Sequence, residues 1–184
     1  MRRGALLPAV VLAALCAAAA VPAAHARPTH DVTVMTRNLF LGVDIRRAAG
    51  PRTREELQAL AVQLVREVKA TDPAGRMNLV AAEIARVKPD LVGLQEVAFW
   101  QLGSTHIDYA ALLLSSLLRR GLAYRLVGGQ TEADVSLPTS AGQGRFRLGD
   151  AILVRRGVGA THIRHASFHS QITFPIATGT VPVH

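Results

Sequence analysis

The sequence predicts an α/β domain, and three observations carry that expectation. Val32-Thr33-Val34-Met35-Thr36 is built of β-branched and apolar residues and reads as a strand. Leu57, Leu60, Ala61, Leu64, Val65 and Val68 recur at the spacing of one helical stripe. Leu91-Val92-Gly93-Leu94-Gln95 is a short apolar run of the kind that fills the interior of a sheet. Strands and helices alternating at this interval fit a layered α/β architecture.

The chain has 184 residues, 49% of them hydrophobic, which excludes a disordered tail. Its 15 Gly and 9 Pro follow no triplet period, so it is not collagen-like. A single Cys excludes an internal disulfide framework and a Cys-based zinc finger. With eight aromatic residues, counted as five Phe, two Tyr and one Trp, the core must be aliphatic. The formal charge is +8, but the basic residues are scattered, with Arg-Arg doublets at 2–3, 46–47, 119–120 and 155–156. Such scatter reads as a solvated surface. A nucleic-acid-binding protein, which charge alone would suggest, calls for a clustered stripe and strongly salt-dependent DNA binding.

The N-terminus has the layout of a secretory signal peptide. Arg2 and Arg3 form a basic start, Ala5 to Val21 an apolar stretch broken by Pro22, and Ala24-His25-Ala26 places small residues before a cleavage point. Cleavage after Ala26 leaves residues 27–184, without Cys16 and without a stable membrane span. The location expected is secreted, periplasmic or extracellular. An uncleaved membrane anchor is the rival reading, against which stand the short stretch and Pro8.

The helices can be justified in order. Thr53 precedes Glu56 by three residues, the spacing of a capping box, so a helix starts there. Asp72-Pro73-Ala74-Gly75 reads as a turn. Met77, Val80, Ala81, Ile84 and Val87 mark a second helix over Arg76–Lys88, ended by Pro89. A third is expected over Asp108–Arg120, closed by Gly121, with its Leu-rich middle through Leu118 heavily buried.

Further strands are expected over Tyr124–Val127, Phe146–Leu148 and Ala151–Val154. Thr131–Gly144 is polar and rich in small residues and reads as a loop with a short strand near Val135. Ile172–Phe174 and Val181–Val183 are further strand candidates.

Ligands of open α/β sheets sit beyond the carboxyl ends of the strands. That rule singles out Asn38 and Glu96, each at the end of an expected strand. One carboxylate with water and a substrate phosphate can hold Mg²⁺, and a neutral amide can orient that carboxylate without adding charge. The bland alternative is that Glu96 begins a loop and Asn38 caps a turn. His162 and His165 have a spacing compatible with a metal site, but with no third ligand nearby they read, with His169, as surface or partly buried residues.

Two segments resemble a known family. Asp31–Asp44, "DVTVMTRNLFLGVD", and Arg86–Val97, "RVKPDLVGLQEV", resemble the first two motifs of the endonuclease/exonuclease/phosphatase (DNase I-like) family. More weakly, Asp108–Leu118 and "GDAILVRRG" (Gly149–Gly157) resemble its next helix and strand.

The resemblance implies a four-layer α/β/β/α sandwich, here a partial one with the first half present and the second largely missing. It also implies hydrolysis of a phosphate ester with Mg²⁺ or Mn²⁺, Glu96 as metal ligand and Asn38 shaping the metal site. The substrate classes it implies are nucleic acid, a phospholipid head group or a sugar phosphate. The family's later His, Asp-x-Asn and Ser-Asp-His motifs have no match, since Asp150 is the last Asp. The catalytic residues are therefore unassigned. The expectation is a truncated domain over 27–184 that is weakly active or inactive, or else a non-catalytic secreted binding module on the same scaffold. A sheet face left bare would invite a second chain to cover it.

Overall fold

The computed structural model describes residues 31–50, 53–164, 166, 172–176 and 179–183. The segment read as a signal peptide, and His165 and His169, lie outside the described residues. The fold is mixed α/β, as the sequence predicts. Its strands are β1 (Val34–Asn38), β2 (Leu91–Gln95), β3 (Phe99–Leu102), β4 (Thr105–Asp108), β5 (Tyr124–Thr139), β6 (Gly142–Arg155), β7 (Ile172–Ile176) and β8 (Gly179–Val183). Its helices are α1 (Arg54–Ala70), α2 (Pro73–Val87) and α3 (Tyr109–Arg119), with a 3₁₀ turn over Ile45–Ala49. Among the described residues no helix is long and apolar enough to cross a membrane.

Six strands form one sheet, and β7 and β8 pair as a separate antiparallel hairpin. β1 lies parallel to β2, which pairs antiparallel with the final part of β6. β3 pairs with the earlier part of the same β6. Thus β2 and β3, separated only by Glu96–Ala98, run along successive lengths of one long strand, while β5 follows its other edge. The backbone of β7 passes beside the 3₁₀ turn and that of β8 beside β5.

The local signals explain the helices. Thr53 and Glu56 form the expected capping box. The expected turn at 72–75 is instead the start of α2. Asp72 caps it by accepting from the Gly75 N–H, and Pro73, which lacks an N–H to leave unbonded, takes the first helical position. Lys88, in a left-handed conformation, ends α2 one residue before Pro89. Asp108 caps α3. Leu118 corrects the expectation for α3: Leu113 and Leu117 are fully buried, whereas Leu118 is 67% exposed.

Two strand expectations are corrected. Residues 131–144 are not a loop: they belong to the long β5–β6 hairpin, which turns at Ser140 and Ala141. The two strands expected over 146–154 are one strand. The β3–β4 hairpin had no counterpart in the sequence reading.

Pairing register assigns the faces of the sheet, because partners point the same way. Met35, Val92 and Leu153 share one face, as do Leu94 and Ala151. These join a single core with Met77, Ile84, Leu113 and Leu117 from the helices. On the other face Val34 is 61% and Ile152 46% exposed. The α-on-β packing is therefore present, and the side away from the core carries bare aliphatic surface.

Candidate active site

Parallel pairing of β1 and β2 brings their carboxyl ends side by side, with Asn38 opposite Gln95. Glu96 follows immediately, its backbone in the left-handed region at φ 56°. A non-glycine residue there is uncommon, and such conformations gather at functional sites. The turn aims the Glu96 carboxylate at Asn38, whose Nδ2 donates to Oε1 at 2.8 Å. The Leu41 N–H donates to Oε2, also at 2.8 Å. Asn38 Oδ1 in turn accepts from the Phe40 N–H at 2.7 Å. Both sequence-predicted residues therefore meet, and each end of the Asn38 amide has a defined job: one orients Glu96 and the other folds the loop that supplies the second donor.

That loop, residues 39–42, is braced from the helix layer. Arg76, in the first turns of α2, donates through Nη1 to the Leu39 and Phe40 carbonyls at 2.9 and 2.7 Å. Its Nη2 donates to the Tyr109 hydroxyl at 2.7 Å, and its guanidinium lies over the rings of both Phe40 and Tyr109. The Tyr109 hydroxyl donates onward to the Leu41 carbonyl at 2.9 Å. Tyr109 is fully buried, and burial pushes its hydroxyl above the ordinary tyrosine range despite the opposing pull of Arg76. Gly42 completes the bend at φ 101°, and a Cβ there would lie 3.0 Å from the Tyr109 hydroxyl.

The middle of the β5–β6 ladder brings more negative charge. β5 and β6 slip register between Thr131 and Ala133, which leaves Glu132 as the extra residue of a bulge. Opposite it stands Gly149, where a Cβ would meet the Gln130 carbonyl oxygen at 2.0 Å, so only glycine permits the approach. Burial raises the Glu132 carboxyl above the usual range, and the charges of Asp150 and Glu96 raise it further. Asp150 and Glu96 thus both act on Glu132.

The fit to a divalent cation follows from these donors and acceptors. Among the described residues the Asn38 Nδ2–H and the Leu41 N–H are the hydrogen-bond donors to Glu96, one on each oxygen, and they hold the carboxylate in place. Oxygen donors are what Mg²⁺ or Mn²⁺ require. Among the described residues, no three His, Cys, Asp or Glu side chains form a closed metal cage. The chemistry suits a cation held by one carboxylate, with water and substrate supplying the other positions. The described histidines stand apart from it: His106 lies in β4, edge-on to Phe99, and His162 is an exposed residue beyond β6.

Comparison with known proteins gives one likeness. A solved structure of an endonuclease/exonuclease/phosphatase family protein from Leptotrichia buccalis C-1013-b is similar to this chain at 18% identity and a TM-score of 0.36. The alignment covers 71% of this chain and 40% of that one. No family model matches the chain, and no curated protein matches it.

Sequence reasoning singled out Asn38 and Glu96 but missed Arg76, Tyr109 and Glu132. Arg76 and Tyr109 act over 36 and 68 residues of chain respectively, beyond any local pattern. A polar residue three positions after Gly129 was the available signal for Glu132, and it is a weak one.

Proposed function

We propose that the chain carries the cation-binding part of a phosphoesterase site, with Glu96 as ligand to Mg²⁺ or Mn²⁺ and Asn38 as the residue that positions it. One observation carries the reading. The two segments that resemble the first motifs of the endonuclease/exonuclease/phosphatase family fold into neighbouring parallel strands, and their marker residues hydrogen-bond to each other.

A cation there would neutralise phosphoryl charge and steady the leaving oxygen. The chain's own residues set up the site. Asn38 and the Leu41 N–H fix the carboxylate, Arg76 and Tyr109 fix the loop that carries that N–H, and Glu132 and Asp150 deepen the negative field that draws a cation in. Hydrolysis also needs a group that takes a proton from water. Among the described residues the hydrogen-bond partners of Glu96 are amide donors, and neither Asn38 nor a backbone N–H can act as that base. The reading is therefore cation binding with weak or absent turnover by this chain. Its substrates would be phosphate esters: nucleic acid, a phospholipid head group or a sugar phosphate. Export through the first 26 residues is part of the same reading, and the mature chain would then start at Arg27.

The test is a Mn²⁺ titration of ¹⁵N-labelled protein. The amides of Leu41 and Val97 should broaden first, and Glu96→Gln should remove the effect. Broadening centred elsewhere, or none, would refute the cation site. Mg²⁺-dependent release of nitrophenol from bis(p-nitrophenyl) phosphate, abolished by Glu96→Gln, would refute the weak-turnover part alone.

The exposed Val34 and Ile152 support a second reading of the scaffold, in which further chain or a second protein covers that face and the domain serves as a binding module. Analytical ultracentrifugation of the wild type against Val34→Lys separates this from the first reading, because the variant leaves Glu96 untouched.

A further inference from the structure

Two arginine doublets that lie far apart in the sequence meet in the fold. β2 starts where β6 ends, with Leu91 opposite Val154, and β5 starts at the same end, with Tyr124 opposite Arg155. The Arg155 N–H donates to the Asp90 carbonyl at 2.9 Å and the Arg156 N–H to the Ala123 carbonyl at 2.8 Å. The Tyr124 hydroxyl donates to the Pro89 carbonyl at 2.6 Å. These bonds gather residues 86–90, 119–125 and 155–156 at one pole, the amino ends of β1 and β2, whereas Glu96 stands at their carboxyl ends.

The pole is cationic. Its three segments carry seven Arg or Lys and one acid, Asp90, which Arg155 already takes up. The other six cations are exposed, and among the described residues none of them has a carboxylate partner. Arg119 and Arg120 are held by neutral oxygens, those of Ser116 and Asn78, and so keep their charge uncancelled. Glu83, one turn before Arg86, is engaged by Arg37. A helix macrodipole favours cations in its last turn. That accounts for Arg86 and Arg119, but not for Arg125 on β5 or Arg156 just past β6.

Apolar side chains are set among these charges. Val87, between Arg86 and Lys88, is 53% exposed, and Leu118, beside Arg119, is 67% exposed. A nucleic-acid backbone would pair with the cations but gain nothing from Val87 or Leu118. Nor does the pole offer a ring for a base to stack on, since Tyr124, the one aromatic residue of these segments, is half-buried and tied to Pro89. An anionic bilayer surface uses both features: lipid phosphates attract the cations, and apolar side chains enter the headgroup boundary. We propose that this pole docks the domain on an anionic lipid surface, with Val87 and Leu118 entering between the headgroups. The inference does not rest on the cation site, and docking at this pole leaves Glu96 open to water.

The test is resolved by residue, so that any attraction of the apolar stretch at 5–21 for lipid does not enter the reading. The ¹⁵N-labelled full chain is titrated with phosphatidylcholine/phosphatidylglycerol bicelles doped with a gadolinium-chelate lipid. The amides of Val87, Leu118, Arg125 and Arg156 should broaden ahead of those of Leu41 and Val97, beside Glu96. Bicelles of phosphatidylcholine alone, or added salt, should suppress that pattern. Arg125→Gln with Arg156→Gln should raise the lipid concentration needed on the order of 30-fold, about fivefold per charge. Leu118→Ser should raise it as well. Arg66→Gln with Lys69→Gln removes the same net charge from exposed positions of α1 and should leave it unchanged. Should the first pair not unfold cooperatively, Arg86→Gln with Arg119→Gln replaces it. The proposal is overturned by broadening that is uniform or centred elsewhere, by equal response to neutral bicelles, by an α1 pair as weak as the pole pair, or by a Leu118→Ser protein that docks like the wild type. Duplex DNA that shifts the same amides and displaces the bicelles would overturn it in favour of a nucleic acid.

Discussion

The side-chain amide of Asn38 donates to the carboxylate of Glu96 at 2.8 Å across 58 residues of sequence. This bond joins the ends of two parallel strands and turns two separate sequence motifs into one site. A carboxylate held by two N–H donors keeps a single orientation, so a cation that it binds meets a fixed ligand rather than a rotating one.

Removing the amide should therefore weaken cation binding without removing it. Asn38→Ala is expected to lower Mn²⁺ affinity by about 10–100-fold, the usual effect of losing an outer partner of a ligand. Glu96→Gln is expected to eliminate the site. Titration followed by the electron paramagnetic resonance of free Mn²⁺ measures both. Wild-type affinity in Asn38→Ala would show that the amide does not position Glu96.

The Tyr109 hydroxyl is the second bracket of the site, accepting from Arg76 and donating to the Leu41 carbonyl. Tyr109→Phe keeps the ring and leaves the buried Leu41 carbonyl without that donor, which should cost about 1–3 kcal/mol in urea unfolding. Because Leu41 supplies the second donor to Glu96, the same variant should also weaken Mn²⁺ binding. A purely structural role would lower stability and leave that affinity unchanged.

Gly42 offers a related check on the loop from its backbone. Alanine at φ 101°, with its Cβ 3.0 Å from the Tyr109 hydroxyl, should cost more than about 1 kcal/mol. A Gly42→Ala protein as stable as the wild type in the same urea experiment would mean that the loop can take another shape.

What was legible in the sequence follows the reach of each signal. The start of α1 is written in Thr53 and Glu56, neighbours that bond to each other. The end of α2 is written in Pro89. Both are local. The β5–β6 hairpin is not. Its apolar alternation at Ala133, Val135 and Leu137 covers only part of β5, and the strand runs on through two register shifts and Gly128-Gly129, where no period-2 pattern holds. β3 and β4 are four residues each, too short for any periodicity. The site divides the same way: Asn38 and Glu96 are marked by the ends of their own strands, whereas the position of Glu132 depends on a slip in register that exists only once β5 and β6 have paired.

Glu132 also gives the fold a pH dependence with a definite sign. Burial first, and then Asp150 and Glu96, raise its carboxyl above the ordinary glutamate value, so ionising it is harder in the folded chain than in the unfolded one. Above the folded-state pKa the charge therefore destabilises the fold. As pH falls through that value toward about 4.3, the ordinary value, the penalty disappears. Glu132→Gln should accordingly unfold at a higher temperature than the wild type at pH 7–8, with the gap closing below about pH 4.3. The gap at neutral pH should shrink in a Glu96→Gln background, since one of the two repelling charges is then gone, and Asp150 should keep it from vanishing. Strict additivity of the two substitutions would show that Glu132 and Glu96 do not share a field.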